Sequence, residues 1–252
     1  MSGGGGFHYS CGMERVEYEL MARAEDRMWW YRAAHARMLL LLRQAGLQPS
    51  ACLLDAGCGT GGLLRRLASG AVGIDLSPIA ASLARAKGGA PVVVGTVNSL
   101  PFSDAAFDGV VSVDVLYHRA VDEAAMLAEA WRCLRPGGAL VLNLPAYDWL
   151  KSPHDAAVHG ARRYTAGRVR ALLRDAGFQP VRITYWNTLL FPLMVLRRKL
   201  FPPADAASDV MEYPLPMEST FRAITGIEHA LLSLGLPLPF GGSVMALARK
   251  PS

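Results

Sequence analysis

Between Met13 and Ala45 apolar residues recur at three- and four-residue intervals, and the run stops at Gly46. That is the period of an amphipathic helix, and it predicts two helices at the start of the fold. From Ala51 the pattern changes. Short runs apolar at almost every position alternate with segments of helical period. The runs are ACLLD at 51–55, AVGID at 71–75, PVVVG at 91–95, DGVVSVD at 108–114 and ALVLNL at 139–144. The segments between them are GLLRRLAS at 62–69, PIAASLARAK at 78–87, where Ser77 supplies an N-cap and Pro78 a first-turn proline, and residues 122–134. A strand apolar on both faces is buried on both faces, and intervening helices are the crossovers that a parallel sheet requires.

One more helix, TAGRVRALLRDAG, leads into the run VRITYWN at 181–187, and SVMALARK at 243–250 closes the series. The fifty or so residues between those last two runs are rich in Pro, Met and Leu and too many for a hairpin, so they predict a helical insertion. The expected fold is α/β: a doubly wound, mostly parallel, seven-stranded Rossmann-like sheet, with N-terminal helices and a helical insertion before the last strand. The division expected is a flexible tail at 1–12 and one domain at 13–252. Within it lie a helical cap at 13–47, a core at 48–187, the insertion at 188–240 and the last strand at 241–252.

Composition narrows this picture. With 252 residues, 52% of them hydrophobic, the chain can bury one substantial core. The net charge of +5 comes from arginines spread along the sequence with no basic run to track a phosphate backbone, so no nucleic-acid partner is expected. Cysteines 11, 52, 58 and 133 form no C-x-x-C pair and suit a reducing compartment. The N-terminus lacks the charged and apolar regions of a secretory signal, and no apolar run is long enough to span a bilayer. A cytoplasmic protein is expected, with one reservation. The stretch WNTLLFPLMVLRRKLF has eight apolar positions from Leu189 to Leu196 followed by two arginines and a lysine. It suits either a greasy acceptor pocket or an interfacial helix at the inner face of a membrane.

Residues 53–62 read LLDAGCGTGG. Gly57, Gly59 and Gly62 fit the G-x-G-x-x-G spacing of a dinucleotide loop, but Asp55, Gly57, Gly59 and Gly61 equally fit D-x-G-x-G-x-G. A pyrophosphate would be repelled by Asp55, whereas S-adenosylmethionine, with an ammonium, a sulfonium and no phosphate, suits it. Asp75, twenty residues beyond Asp55 at the end of the second strand, is placed to accept ribose hydroxyls in either case.

Four segments carry a wider resemblance: LLDAGCGTGG, VGIDLSP, LPFSDAAFDGVVSVDVLYH at 100–118 and EAWRCLRPGGALVLNLP at 129–145. Together they resemble the class I S-adenosylmethionine-dependent methyltransferases, in particular the bacterial small-molecule group related to quinone-biosynthesis methyltransferases. The resemblance covers about residues 50–187. It implies S-adenosylmethionine as cofactor, with Asp55, Gly57, Cys58, Gly59 and Gly61 at its methionine end and Asp75 with Leu76 at the ribose and adenine edge. Val113 and Asp114 would approach the methionine from the other side, and Trp30, Tyr31 and Arg32 would be lid contacts. Where relatives usually carry an acid for the adenine amino group, this chain has Thr96, Val97 and Asn98, where a backbone N–H or Asn98 could substitute.

Ligands of open α/β sheets lie beyond the carboxyl ends of the strands, so the segments after strands four and five should frame an acceptor. His118, His154 and Tyr164 are the candidate catalytic residues. Tyr117, Tyr147, His159 and Arg163 are candidate acceptor contacts, with Arg163 alternatively clamping its loop through Asp155. The spacing of His154, Asp155 and His159 does not suit a metal. The aromatic N-P-P-Y segment of nucleobase methyltransferases is replaced by DVLYH. The expected activity is methyl transfer to a small, apolar or lipid-like acceptor. A reductase using NAD(P) on the same type of fold is the first alternative, against which Asp55 and the LPF and RPGG segments argue, and a non-catalytic cofactor-binding member is the second.

Overall fold

The computed structural model describes residues 15–67, 69–88, 90–152, 155, 159–200 and 213–252. The tail expected at 1–12 and His154 therefore lie outside the described residues. Strands β1 (Leu53–Ala56), β2 (Val72–Asp75), β3 (Val92–Val94), β4 (Phe107–Val113), β5 (Leu134–Pro145), β6 (Gln179–Trp186) and β7 (Ser243–Arg249) form one sheet in the order β3-β2-β1-β4-β5-β7-β6. The first five run parallel, and β7 lies antiparallel between β5 and β6.

Helices α1 (Arg15–Ala24), α2 (Trp29–Gln44), α3 (Pro78–Ala86), α4 (Glu123–Cys133), α5 (Ala166–Asp175), α6 (Phe191–Leu200) and α7 (Leu215–Ser233) accompany the sheet. Apolar residues of α2, α3 and α7 pack on one face with Leu53, Val111, Val141 and Met245. Those of α4 and α5 pack on the other with Leu54, Val110, Leu140 and Ala246. Alternate residues of the same strand thus enter opposite cores, which is why the strands read as continuous apolar runs. Helix starts follow local chemistry: Ser77 Oγ accepts from Ala80 N–H at α3, and Asp122 accepts from the N–H groups of Ala124 and Ala125 at α4.

One local expectation is corrected. Among the described residues of 62–69 only a 3-10 turn forms, Leu64–Arg66, and the chain returns to the sheet at Val72. RPGG, just ahead of the apolar run at 139–144, forms an irregularity inside β5. Pairing with β4 passes from Phe107–Leu134 directly to Gly109–Ala139, and Gly137 takes a φ of 75°.

The predicted insertion supplies α6 and α7, and among the described residues no helix is long and apolar enough to cross a membrane. A buried ion pair fastens α7 to α2. Arg37 Nη2 lies 3.5 Å from Glu228 Oε2, each side chain is 1% exposed, and the guanidinium also donates to the carbonyls of Ala33 and Thr225. Glu228 in turn accepts from the backbone N–H groups of Asn187 (2.8 Å) and Leu189 (2.6 Å), where the chain leaves β6. Replacing Arg37 by Met strands the Glu228 charge, and urea denaturation should show a loss of about 3–5 kcal/mol. The double variant Arg37→Met/Glu228→Leu should not recover it, because the two backbone N–H groups then lose their acceptor.

Candidate functional site

The loop after β1 is built against β2. Gly57 and Cys58 donate their N–H groups to Ile74 O at 2.8 and 2.9 Å. Asp75 Oδ2 accepts from Gly59 N–H and its Oδ1 from Ser77 N–H, both at 2.9 Å. A Cβ on Gly57, whose φ is 83°, would fall 2.2 Å from Val115 Cγ2, so only glycine fits that turn. The loop is also held from above by Glu25, between α1 and α2. Glu25 accepts from Thr60 Oγ1 (2.7 Å) and Gly62 N–H (3.1 Å), pairs with Lys87 and is 3% exposed.

Beyond the carboxyl ends of the strands lies a cavity of about 1010 Å³, enclosed by this loop, α1, α2, α6, α7 and the segments after β4 and β5. Gly57 and Gly59 border it with Asp75 and Leu76 from the end of β2, and Thr96 and Val97 follow from the end of β3. Val113 and Asp114 border it from β4, and Trp30 and Tyr31 from α2. Asp114 has a φ of 50°, and its Oδ1 accepts from Asn143 Nδ2 at 3.0 Å. Asn143 Oδ1 accepts from Trp186 Nε1 at 2.6 Å, and the Arg37 guanidinium lies 4.7 Å from the centre of the Trp186 ring.

The other expected cofactor residues stand behind this surface. Cys58 Sγ packs under the loop against Gly73, Gly61 packs on Ala84, and Arg32 is exposed outside the cavity. Asn98 donates to Ala120 O and accepts from Asp122 N–H, which ties its side chain to the start of α4. Asp55 is 2% exposed and its Oδ2 has no hydrogen-bond partner among the described residues. Burial, and secondarily the charge of Asp75, push its pKa up to about 7. Burial also raises Asp114 to about 7, and the Tyr31 phenol is raised by burial and then by Asp114.

On the acceptor side Tyr117, His118, His159 and Arg163 border the cavity. The two segments predicted to frame it pair with each other, through a bridge between His118 and Gly160 and a 2.9 Å bond from Arg119 N–H to His159 O. Tyr164 is corrected from a candidate catalytic residue to a core residue. It is 0% exposed, and its hydroxyl bonds Glu123 Oε1 at 2.8 Å and Leu116 O at 3.0 Å. Tyr147 is half-buried, stacks on Tyr185 at 5.4 Å and is not among the residues that border this cavity. Arg163 is the loop clamp, donating from Nε and Nη2 to Asp155 at 2.9 Å each and from Nη1 to Ala146 O.

Sequence reading missed Glu25 and the cavity residues Met21, Asn187 and Phe221. The signal available for Glu25 was an acid at the break between two helical runs, where a cap or an anchor is expected. The rest had none.

Known proteins resemble this chain in sequence and in fold. A methyltransferase-domain family model matches residues 54–142. The chain is 34% identical over 189 residues to malonyl-[acyl-carrier protein] O-methyltransferase of Geobacter sulfurreducens, covering 67% of this chain and 68% of that one. It is 28% identical over 226 residues to 24-methylenesterol C-methyltransferase 2 of Oryza sativa subsp. japonica, covering 71% of this chain and 61% of the relative, less than two thirds of its length. The solved structure of geranyl diphosphate methyltransferase in complex with SAM superposes with a TM-score of 0.59 at 19% identity, over 86% of this chain and 85% of that one.

The raised carboxyls fix a pH dependence. Asp55 and Asp114 titrate near 7 in the folded chain and near 3.8 in the ordinary state, so between those values the folded form binds more protons. Their contribution to stability is therefore greatest at low pH and is lost as pH rises through 7. Melting temperatures of the ligand-free protein should fall between about pH 5.5 and about pH 8, and less steeply in Asp55→Asn. A cationic ligand favours the charged carboxyls, so its binding should release protons near neutrality, which calorimetry in buffers of different ionisation enthalpy would read.

Proposed function

The chain belongs to the class I S-adenosylmethionine-dependent methyltransferases, and on that premise we propose that it transfers the methyl group of S-adenosylmethionine to a small acceptor with a substantial apolar body. The observation that carries the proposal is the division of the cavity. One end is glycine backbone backed by carboxylates. The other is walled by Leu190, Leu193 and Met194 around α6 and by Met217 and Phe221 of α7.

The carboxylate end fits this cofactor on its own chemistry. Asp55, with one oxygen lacking a partner, and Asp114, on the cavity wall, are both raised carboxyls that a nearby cation would favour in their charged form. A dinucleotide fits poorly. Its pyrophosphate would meet Asp75 and Asp55, and the loop leads into a single 3-10 turn without the helix N-terminus that usually receives an anion. Asp75 would hold the ribose, since each of its oxygens accepts one N–H and retains a further lone pair. Leu76, Thr96 and Val97 would contact the adenine, with no carboxylate among them to meet its amino group.

When bound, the cofactor supplies an electrophilic methyl group on a sulfonium that is already a good leaving group. The protein's part is then chiefly to hold an acceptor in line and to exclude water. Met21, Trp30 and Tyr31 would close one side, and Tyr117 the other. Where the acceptor atom carries a proton, His118 and His159 are the imidazoles that border the cavity and would receive it. A sterol, the kind of acceptor named for the Oryza sativa relative, has the apolar bulk that this pocket suits.

Mass spectrometry of the purified protein should find S-adenosylhomocysteine or S-adenosylmethionine retained; recovery of a nicotinamide dinucleotide instead would end this reading. In calorimetry Asp75→Ala should lose about 1.5–3 kcal/mol of S-adenosylmethionine binding, the cost of losing a hydrogen bond to a charged group. Glu25→Ala, which frees the loop from α1 without touching the cavity's carboxylates, should weaken the cofactor by a smaller factor. Wild-type affinity in Asp75→Ala would show the site to be misplaced.

A further inference from the structure

Asn187 and Ser243 meet at the carboxyl end of the sheet, and both border the cavity. Ser243 opens β7 opposite Pro145 of β5 and Trp186 of β6, and Asn187 directly follows β6. Their main chains are fixed. Asn187 donates its N–H to Glu228 Oε2 at 2.8 Å, its carbonyl accepts from Gly242 N–H at 3.3 Å, and Gly242 O accepts from Ala146 N–H at 3.0 Å.

Their side chains have no such partners. Asn187 is 4% exposed, its Oδ1 is buried without a hydrogen bond, and its Nδ2 donates to no described residue. The amide lies against Gly242 beside Met194: a Cβ on Gly242 would fall 3.0 Å from Nδ2 and 3.1 Å from Met194 Cε. Ser243 is also 4% exposed, and its hydroxyl bonds no described residue. Polar groups buried in this way cost stability unless something pairs them. The φ of 59° calls for a residue at ease in the left-handed region, but glycine would meet that need without burying a carboxamide.

The sheet keeps these two residues away from the glycine loop. In its order β7 is three strands from β1 and β6 is four, which at about 4.8 Å per strand is about 14 and about 19 Å. From β4, which ends beside Asp114, the same count gives about 10 and about 14 Å. The ion beside Asn187 is the carboxylate of Glu228, and the nearby Arg37 is committed to Glu228 and to the carbonyls of Ala33 and Thr225. An anionic group at the amide would face that carboxylate, whereas a neutral oxygen meets two donors, an amide N–H and a hydroxyl.

Resting on the methyltransferase reading of the same cavity, we propose that Asn187 and Ser243 form a subsite that hydrogen-bonds a neutral hydroxyl, carbonyl or ether oxygen of the acceptor, carried about 10 Å or more from the atom that is methylated. The acceptor is then an elongated, largely apolar molecule with a polar oxygen at the end remote from the reaction. Anchoring that end fixes how far the other reaches toward Asp114, so the subsite selects the methylated position as well as the substrate class.

The test uses the full chain saturated with S-adenosylhomocysteine and dialysed to equilibrium against 1-octanol, heptyl methyl ether, octane or octanoate, with bound ligand measured by gas chromatography. Asn187→Gly and Ser243→Ala should each weaken 1-octanol and the ether about fivefold, the ratio expected for one ordinary hydrogen bond, and leave octane no weaker. Glycine takes the φ of Asn187 without strain, so circular dichroism should show both variants folded, with S-adenosylhomocysteine affinity unchanged. Variants that bind 1-octanol like the wild type, or that lose octane and 1-octanol equally, would overturn the proposal. So would failure of every probe to bind the S-adenosylhomocysteine complex. Octanoate bound more tightly than 1-octanol, and weakened by the same substitutions, would make the subsite one for anions and overturn the neutral assignment. Failure of S-adenosylhomocysteine itself to bind would instead strike the methyltransferase reading beneath it.

Discussion

The carboxylate of Glu228 holds the corner at which the sheet hands the chain to the helices over the cavity. It meets Arg37 of α2 and takes the N–H groups of Asn187 and Leu189 just as the backbone leaves β6, with Asn187 at a φ of 59°. Asparagine is among the few residues other than glycine that take a positive φ readily, so the residue suits the corner it occupies. From this corner the polar contacts continue inward: Arg37 over Trp186, Trp186 to Asn143, Asn143 to Asp114. The insertion and the carboxylate facing the cavity are therefore parts of one buried polar chain. Such a chain favours a single arrangement, since each partially satisfied alternative leaves a polar atom without a partner in a medium of low dielectric.

The opposite side of the cavity obeys a different constraint. Asp55, Asp75 and Asp114 gather acid at the carboxyl ends of neighbouring strands, and Asp55 feels both its own burial and the charge of Asp75. The glycine loop tolerates this because Asp75 is neutralised locally by two N–H donors and because Glu25 fixes the loop from outside. Gly62 shows how closely α1 and the loop are matched: a Cβ there would stand 2.2 Å from Glu25 Oε2. An N-terminal helix that elsewhere would be a loose cover is here pinned to the turn it covers.

The sheet was legible in the sequence because each strand enters two cores at once, so Val110 and Val111 or Leu140 and Val141 had to be apolar together. The helical insertion was legible from length and composition alone. Errors clustered where a side chain's partner lies far along the chain. Nothing near Tyr164 announces Glu123, forty-one residues away, as the partner of its hydroxyl, so a tyrosine in a polar loop read as a surface residue. The tie of Asn98 to the start of α4 was equally out of view, being a tertiary fact. The segment at 62–69 was expected to be helical, but only Leu64–Arg66 form a 3-10 turn there among the described residues. The pairing of Arg163 with Asp155 was weighed from sequence because those residues are only eight apart.

The position of β7 has a bearing on how the molecule is made. β6 bonds to β7 and to no other strand, and β7 follows it by more than fifty residues while sitting between it and β5. During synthesis the strands β1 to β5 can pair as they emerge from the ribosome. β6 must wait as an unpaired edge until α6, α7 and finally β7 have been translated. At a typical elongation rate of about 5–20 residues per second that interval lasts several seconds. Through it the growing chain exposes both the hydrogen-bonding edge of β5 and the apolar faces of VRITYW, which makes this interval the stage at which a chaperone has most to protect.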